Sequence, residues 1–202
     1  MIDRRALIAW TAVHATRPAV AMQLTAVVAG MVWAAVNVSQ IGFVRFPTPV
    51  AVLLMVPILA GTGAALASVP TFDLPLPDPA EARLARVAWA LGWLAMSVAA
   101  SSFGLLVGGE VSAVSIGRNV MLTTALGIAL ARVAQGRYVW VPAPTLTLLA
   151  MLFGYPDDRP GYYWWAMMLE ERTTATHMVG VGVLYLLALG SLARVRRVRI
   201  GP

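Results

Sequence analysis

Six long apolar stretches, separated by short segments of which most carry arginine, dominate the 202-residue sequence. A helix needs about 20 apolar residues to cross the hydrocarbon core of a bilayer. With 59% hydrophobic residues and a mean hydropathy of +0.77, the chain is also too apolar for a water-soluble domain of this size. The predicted spans cover residues 19–38, 49–68, 86–107, 113–134, 139–154 and 174–193. We therefore predict an all-α, polytopic membrane protein with one transmembrane domain over residues 1–202.

The basic residues, which are all arginines, fall unevenly on the two sides of these spans. Arginine close to a span is retained in the cytoplasm. With the N-terminus inside, the outer face receives only Arg45, Arg118, Arg159 and Arg172. An even number of spans then places both termini in the cytoplasm of a multi-pass plasma-membrane protein. The net charge of +6 is accordingly a topology signal, and no nucleic-acid partner is expected, because the arginines are dispersed over several loops.

The first segment outside the spans is residues 1–17, which are predicted to form an interfacial helix. Ile2, Ala6, Trp10 and Val13 share one face of a helix, although charged residues interrupt the apolar arc. Such a helix lies on the inner leaflet with its tryptophan at the interface. The alternative is a ragged, positively charged N-terminal tail.

The second segment is residues 69–86, a cytoplasmic coupling segment between the second and third spans. Four prolines within ten residues make it stiff and extended. Its last part has a helix start of the capping-box type, and the helix that follows is longer than the hydrocarbon requires. The helix start therefore projects into the cytoplasm as a docking surface, or alternatively as a solvated extension whose arginines only fix the topology. The candidate docking residues are Asp78, Glu81, Arg83 and Arg86.

The third segment is the external stretch 155–173, in which a turn precedes Tyr162, Tyr163, Trp164 and Trp165. This aromatic run is too short to span a bilayer and costly to expose to water, so it is expected at the interface or inside the outer leaflet. A re-entrant hairpin that acts as an extracellular gate and an aromatic belt that only anchors the protein both remain open.

Residues that carry chemistry are scarce. The chain has no cysteine, and its two histidines lie far apart, so neither a disulfide nor a metal site is expected. No span interior contains Asp or Glu, which argues against a proton-coupled transporter. The motifs of zinc proteases and serine hydrolases are missing, and we expect no catalytic residue. Glu110 and Arg118 flank the outer end of the fourth span, where they could pair across a short turn.

Several short motifs accompany this layout. Gly117-Arg118-Asn119-Val120 opens the fourth span, and the stretch from Ala131-Arg132 to Gly136-Arg137 closes it. Trp140-Val141-Pro142 opens the fifth span, and Trp164-Trp165 lies in the external segment. With an interfacial helix, six spans, a cytoplasmic helical element and a re-entrant hairpin, the chain resembles the small permease subunits of ABC-2 type exporters in actinobacteria.

The resemblance implies that two permeases, identical or paired with a related chain, form a pathway at their interface. Two cytoplasmic ABC ATPases, which bind ATP and Mg, would drive transport. The chain has no P-loop motif and no lysine, so it is predicted to hold no cofactor and not to be an enzyme. By the same resemblance, residues 78–86 and the N-terminal helix contact the ATPase, and spans one, two and five line the path. The polar side chains available there are Gln23, Asn37, Thr62, Thr145 and Thr147.

For each of these polar residues, a satisfied interhelical hydrogen bond is the alternative to contact with cargo. A pathway of such low polarity suits an apolar or amphipathic cargo, such as a lipid, a hydrophobic peptide or an antibiotic. We therefore expect the membrane subunit of an ATP-driven exporter in which residues 162–169 limit passage. The alternative is a non-transporting six-helix protein, a structural or sensory subunit of a larger membrane complex.

Overall fold

The computed structural model describes residues 10–11, 13–41, 44–70, 80–134, 138–156 and 161–193. Within these residues the fold is mostly helical, with one β-hairpin and short 3-10 helices between the α-helices. The α-helices are α1 (Thr16–Val32), α2 (Val56–Ser68), α3 (Ala80–Ser102), α4 (Ala113–Val133), α5 (Pro142–Phe153) and α6 (Ala175–Ala193). The strands are β1 (Asn37–Ile41) and β2 (Val44–Ala51), and the 3-10 helices are Val52–Leu54, Phe103–Val107 and Trp164–Leu169.

Three helical stretches are long and apolar enough to cross a bilayer. They are Ala82–Val107, Ala113–Val133 and Ala175–Ala193, with 26, 21 and 19 residues. Large apolar side chains lie exposed on their outer faces, including Leu186 and Leu187 of α6 at 66% and 68%. Exposure of this kind is costly in water and costs nothing in hydrocarbon. The chain is therefore a mostly helical, membrane-embedded protein, as its composition predicts.

The remaining helices are shorter than the predicted spans. With 12 residues, α5 is about 18 Å long, well short of the roughly 30 Å hydrocarbon core. The apolar stretch Val52–Ser68 and helix α1 have 17 residues each. Six spans of full length therefore stay a prediction.

The β-hairpin departs from the all-α expectation. Helix α1 ends at Val32, and the six C-terminal residues of the predicted first span fall outside it. Strands β1 and β2 pair antiparallel, with Asn37 opposite Ala51 and Val38 opposite Val50. Two prolines in β2 remove backbone donors, which is tolerated because each strand of a two-stranded ribbon has a free edge. The prediction missed the hairpin because apolarity alone does not separate a strand from a helix end.

Helix α2 is the centre of the bundle and packs against α1, α3 and α4. Its core positions are mostly small residues, which bring neighbouring backbones close together. A Cβ atom at Gly61 would overlap the side chain of Thr123 on α4, and one at Gly63 would crowd Gln23 on α1. The interior is therefore filled by close helix contact.

Successive helices bring their ends together at two opposite ends of the bundle. At one end, which we call the basal end, Trp89 Nε1 of α3 donates to Ala67 O of α2 at 2.8 Å, and Arg86 Nε donates to Leu192 O of α6 at 3.2 Å. At the other, which we call the distal end, lie the β-hairpin, the start of α4 and residues 161–173. We call residues 161–173 the strap.

The chain before α1 was predicted to form an interfacial helix, and its helical backbone is interrupted shortly before α1 begins. Residues 10, 11 and 13 are helical, and the break falls at Ala15, which has a left-handed backbone with φ of 42°. Pro18 lies in the first turn of α1, where proline is tolerated because its missing N–H has no partner within the helix. The first nine residues lie outside the described part of the chain.

Candidate functional site

The inward face of α4 is polar, although its helix has the length and composition of a membrane span. Its polar residues follow helical spacing and are all buried, so they face the bundle interior. Polar side chains in such a helix turn away from lipid and bond to neighbouring elements. The set consists of Ser115, Arg118, Asn119, Thr123 and Thr124.

Three of these side chains hold the strap by its backbone. Each of them donates a hydrogen bond to a different carbonyl of the strap, and the three carbonyls lie within four consecutive residues. Asn119 Nδ2 bonds to Met168 O at 2.7 Å, Arg118 Nη2 to Glu170 O at 2.8 Å, and Ser115 Oγ to Glu171 O at 2.6 Å.

This arrangement, which we call the latch, binds the backbone of the strap to α4. Ser115 Oγ adds a contact to Thr173 Oγ1 at 2.8 Å. Asn119 Nδ2 also donates to Leu54 O at 3.2 Å, so one amide ties the strap to the segment that leads into α2. The latch therefore joins three parts of the distal end.

Arg118 is the latch residue whose burial costs the most free energy, because its side chain is charged. Its side chain is 0% exposed, and its Nε donates to Asn119 Oδ1 at 3.0 Å. Its Nη1 has no hydrogen-bond partner among the described residues. A buried cation in a membrane protein is expensive and marks a functional residue by default. The sequence analysis allowed an ion pair between Arg118 and Glu110. In the structure, the guanidinium of Arg118 instead donates to Asn119 and to the strap.

The carboxylate of Glu170 is an acidic group beside the latch. It lies 3.5 Å from His177 Nδ1 of α6, and its charge interacts favourably with Arg118. Glu170 thus approaches the latch through its carbonyl and α6 through its carboxylate. Its side chain is 35% exposed, which leaves it open to solvent on one side.

An open cleft of about 470 Å³ lies between the β-hairpin and the strap. One wall comes from the hairpin and the other from the strap, so its width depends on how the latch holds the strap. The lining of the cleft combines apolar and charged side chains. Among the described residues, no group of three metal-binding side chains occurs. The lining residues are Asn37, Pro49, Tyr162, Leu169, Glu170, Glu171 and Arg172.

The four aromatic residues predicted as a gate occupy different surroundings. Tyr162 packs on Tyr155 with ring centroids 4.9 Å apart, and burial raises the pKa of Tyr155 above its ordinary value. Tyr163 stacks on Trp165 at 6.4 Å with an interplanar angle of 11°. Trp164 is 76% exposed. One tyrosine therefore belongs to the interior of the distal end, and one tryptophan faces outwards.

The five residues proposed to line a path are not brought together. Gln23 Nε2 donates to Ala60 O at 3.0 Å and to Ser97 Oγ at 2.8 Å, so its amide group joins α1, α2 and α3. Thr62 is buried in α2, and Thr147 is buried with its hydroxyl donating to Ala143 O within its own helix. The other two, Asn37 and Thr145, are exposed.

A second cluster lies at the basal end, where the chain before α1 meets the start of α3. The ring of Trp10 stacks on His14 at 4.4 Å and meets Trp89 edge-on at 6.4 Å, and Trp89 contacts Trp93 at 6.0 Å. His14 Nδ1 donates to the Trp10 carbonyl at 2.8 Å, with the tautomer assigned from this contact. We call these four residues the basal junction.

Burial makes the His14 imidazole hard to protonate. It lowers the pKa below its ordinary value; the Trp10 carbonyl opposes this shift, and the charge of Arg86 adds to it. His14 Nε2 is buried without a hydrogen-bond partner among the described residues, as expected for a neutral ring. The junction is thus an aromatic contact with a neutral histidine at its centre.

The four predicted coupling residues are described to different extents. Arg83 and Arg86 lie in the first turns of α3, and both are partly buried. Asp78 lies outside the described residues, and Glu81 lies in α3 with its side chain outside the described set.

Comparisons with protein-family models, curated proteins and solved structures find no match for the chain. The latch was missed by sequence reasoning because its partners lie about 50 residues apart in the chain. The available signal was the pair Arg118-Asn119 inside an apolar helix, since polar residues there are rarely accidental. The basal junction had a weaker signal, the repeated tryptophans near predicted helix starts.

Proposed function

We propose that the chain is the membrane subunit of an ATP-driven exporter, with six membrane crossings and both termini in the cytoplasm of the plasma membrane. A separate cytoplasmic ABC ATPase would supply ATP hydrolysis. The observation that carries the proposal is the basal junction. It places the chain before α1 in direct contact with the start of α3, and the resemblance to ABC-2 permeases assigns both of these segments to the ATPase.

The contact between these segments gives a mechanical reason for the assignment. A partner that moves the N-terminal segment also moves Trp89, because Trp10 and His14 pack on it at 6.4 and 6.3 Å. Helix α3 continues from there without a break to Ser102 and transmits the displacement to the distal end. Motion at the basal end is thereby coupled to the far side of the bundle.

The strap supplies an outer closure for such a transporter. Its backbone is bound to α4 by the latch, and α4 packs on the central helix α2. Displacement of α4 would release three carbonyls at once, so the strap would open as a unit. The cleft beside it is where an apolar or amphipathic cargo would leave.

The path itself is proposed to lie between two permeases, because α2 is close-packed on three sides and the candidate path residues are separated within one chain. The second permease is either another copy or a related chain. The same close packing also favours the alternative function, a non-transporting structural or sensory subunit. The identity of the proteins that bind the chain distinguishes an exporter subunit from a structural or sensory subunit.

The deciding experiment is purification of the tagged chain from native membranes in mild detergent, followed by identification of its partners. The exporter proposal expects a P-loop ATPase in near-equal amount and nucleotide hydrolysis, which this lysine-free chain cannot provide through a standard P-loop. Recovery with other integral proteins and no hydrolysis would reject it in favour of the structural subunit.

A paired substitution locates the coupling surface. Arg83→Glu with Arg86→Glu should uncouple ATP hydrolysis from transport and leave membrane insertion intact. The matched control is Glu110→Arg, which reverses an exposed charge at the distal end on a residue that does not line the cleft. Unchanged coupled transport in the double variant would show that the docking surface lies elsewhere.

A further inference from the structure

Helix α5 is too short for the bilayer that its neighbour α4 fits. With 21 residues, α4 is about 32 Å long and matches a hydrocarbon core of roughly 30 Å. Helix α5 has 12 residues and is about 18 Å long. The two helices pack against each other, so the same bilayer meets both. The difference in length must therefore appear at an end of α5.

The difference lies at the basal end. A Cβ atom added at Gly127 of α4 would lie 3.1 Å from the carbonyl oxygen of Val139, so the chain that leads into α5 lies beside Gly127. Helix α4 continues six residues beyond Gly127 to Val133, which is about 9 Å. Val139 also shares a buried cluster with Tyr185 and Ala188 of α6, which likewise lie before the end of their helix. The start of α5 is therefore recessed into the bundle.

The other end of α5 reaches the distal end of the bundle. Thr147 Oγ1 lies 3.6 Å from Met168 Sδ, and Met168 O accepts the hydrogen bond from Asn119. Asn119 lies six residues after the start of α4, and Thr147 lies six residues before the end of α5. Gly154, which follows α5, accepts a hydrogen bond from Tyr163 N of the strap at 2.8 Å. Only the basal end of α5 is recessed.

Exposed tryptophans mark both ends of α5. Trp140 lies just before the helix and is 54% exposed, and Trp164 follows Tyr163 in the strap and is 76% exposed. Gly154 lies 14 residues after Trp140, which is about 21 Å along a helix. Tryptophan concentrates where hydrocarbon meets lipid headgroups. The two aromatic levels are thus closer together than the two surfaces of an ordinary hydrocarbon core, and a tilt of α5 would bring them closer still.

The outer face of α5 between these levels is a surface for acyl chains. Four large apolar side chains are exposed there, Leu148, Leu149, Leu152 and Phe153. The exposed hydroxyl of Thr145 lies in the first turn, beside the level of Trp140. Apolar exposure of this kind continues the lipid-facing surface of α6. An apolar stretch that is shorter than the hydrocarbon core is accommodated by a thinner bilayer.

We propose that α5 binds a locally thinned patch of the bilayer. Beside α5, the headgroups of the basal leaflet lie at Trp140, about 9 Å deeper than beside α4. The lipid that fits this surface is a phospholipid with short acyl chains. Beside α4 and α6 the headgroups keep their ordinary level, because these helices are of full length. The patch requires only the membrane embedding of the chain and does not depend on the exporter proposal.

The test measures the depth of a nitroxide label on single cysteines, which the cysteine-free chain permits. The sample is the full-length chain without any ATPase, one copy per nanodisc of dioleoyl phosphatidylcholine. Trp140→Cys is compared with Leu187→Cys, a lipid-facing position of α6 between Tyr185 and Ala188 and hence near the height of Val139.

We expect a water-soluble nickel complex to reach the label at position 140 about tenfold more readily than the label at position 187, because hydrocarbon excludes polar solutes. Equal accessibility at the two positions would overturn the proposal. Val141→Cys, which keeps the indole of Trp140, should give the same result as Trp140→Cys. The melting temperature of each variant checks that the bundle remains folded.

A thin bilayer provides the second comparison. In dimyristoleoyl phosphatidylcholine, whose thin core suits α5 throughout, the label at position 187 should become as accessible as the label at position 140. If the label at position 140 becomes accessible only in this lipid, the protein does not thin the bilayer and the proposal is wrong.

The choice of lipid is tested in nanodiscs that contain equal amounts of the dioleoyl and dimyristoleoyl lipids. Native mass spectrometry counts the lipids that remain bound to the extracted chain. We expect about twofold enrichment of the dimyristoleoyl lipid, since mismatch energies are small. Equal retention would overturn the assignment of a short-chain lipid. Because no ATPase is present, either result is separable from failure of the exporter proposal.

Discussion

At the scale of single residues, Arg118 shows how a buried cation is used to hold backbone rather than to pair with a carboxylate. Its Nη2 bonds to a carbonyl of the strap, and its Nε bonds to the neighbouring amide of Asn119. Hydrogen bonds from a charged donor contribute roughly 1.5–3 kcal/mol each. Arg118 therefore helps to hold the strap, alongside the burial of the strap's own Met168 and Leu169 side chains.

Arg118→Met tests this dependence. The substitution keeps an unbranched apolar chain and removes both bonds, so the strap should open more often while the bundle stays folded. We expect hydrogen exchange of the amides at residues 164–171 to accelerate at least tenfold, measured by mass spectrometry. Arg172→Met, on an exposed neighbour, should leave exchange unchanged. Equal exchange in native protein and Arg118→Met would show that the latch does not hold the strap.

His14 gives a pH dependence at the same scale. Because burial lowers its pKa in the folded protein, the unfolded chain binds the proton more readily below the ordinary value of 6.5. The contribution of His14 to stability is therefore present above that value and is lost as the pH falls below it. We expect the melting temperature to decrease on acidification from pH 7.5 to 5.

The His14→Phe variant keeps the stacking on Trp10 and cannot titrate, so its melting temperature should vary less over this interval. His177→Phe, at the distal end, is the control for the other histidine of the chain. If His14→Phe retains the full pH dependence, the buried imidazole is not its source.

At the scale of elements, the packing of α2 against α4 depends on the close approach that Gly61 of α2 allows. Gly61 faces Thr123, whose hydroxyl donates to Pro57 O of α2 at 3.1 Å, so space and hydrogen bonding coincide at this crossing. A methyl group there has no room, because overpacking in a filled core forces side chains and backbone to shift.

Gly61→Ala should therefore cost about 1–3 kcal/mol of unfolding free energy. The matched control is Gly180→Ala on α6, where an added Cβ meets no atom within 4 Å. That change should be neutral or slightly stabilising, because alanine favours helix. Reversible unfolding in detergent measures both variants. Equal stability of the two would contradict the close packing of α2 on α4.

At the scale of the whole molecule, the proposed topology places the two ends of the bundle on opposite faces of the membrane, with the basal end in the cytoplasm. The chain contains no cysteine, so single cysteines report sidedness without background. Arg17→Cys at the basal end should react with an impermeant maleimide only from the cytoplasmic side. Arg172→Cys at the distal end should react only from outside. Labelling of both from one side would rule out this alternation.

The sequence by itself determined that the protein is embedded in a membrane. It also determined where most of the helices lie along the chain. Composition and the length of apolar runs are local properties, and three helices of sufficient length follow from them. It did not reveal that residues 37–51 form a hairpin, because a short apolar run fits either a strand or a helix end. Nor did it show that α5 has only 12 residues, since apolar flanks extend the pattern beyond the helix.

Only the tertiary structure decided the contacts that define the site. Arg118 and Glu170 lie 52 residues apart, and Trp10 and Trp89 lie 79 residues apart. A hydrogen bond between a side chain and a distant carbonyl leaves no trace in the sequence, because every residue in the strap offers the same carbonyl. Which carbonyls meet α4 depends on helix packing, and that packing is fixed by small residues whose positions matter only once their partners are adjacent.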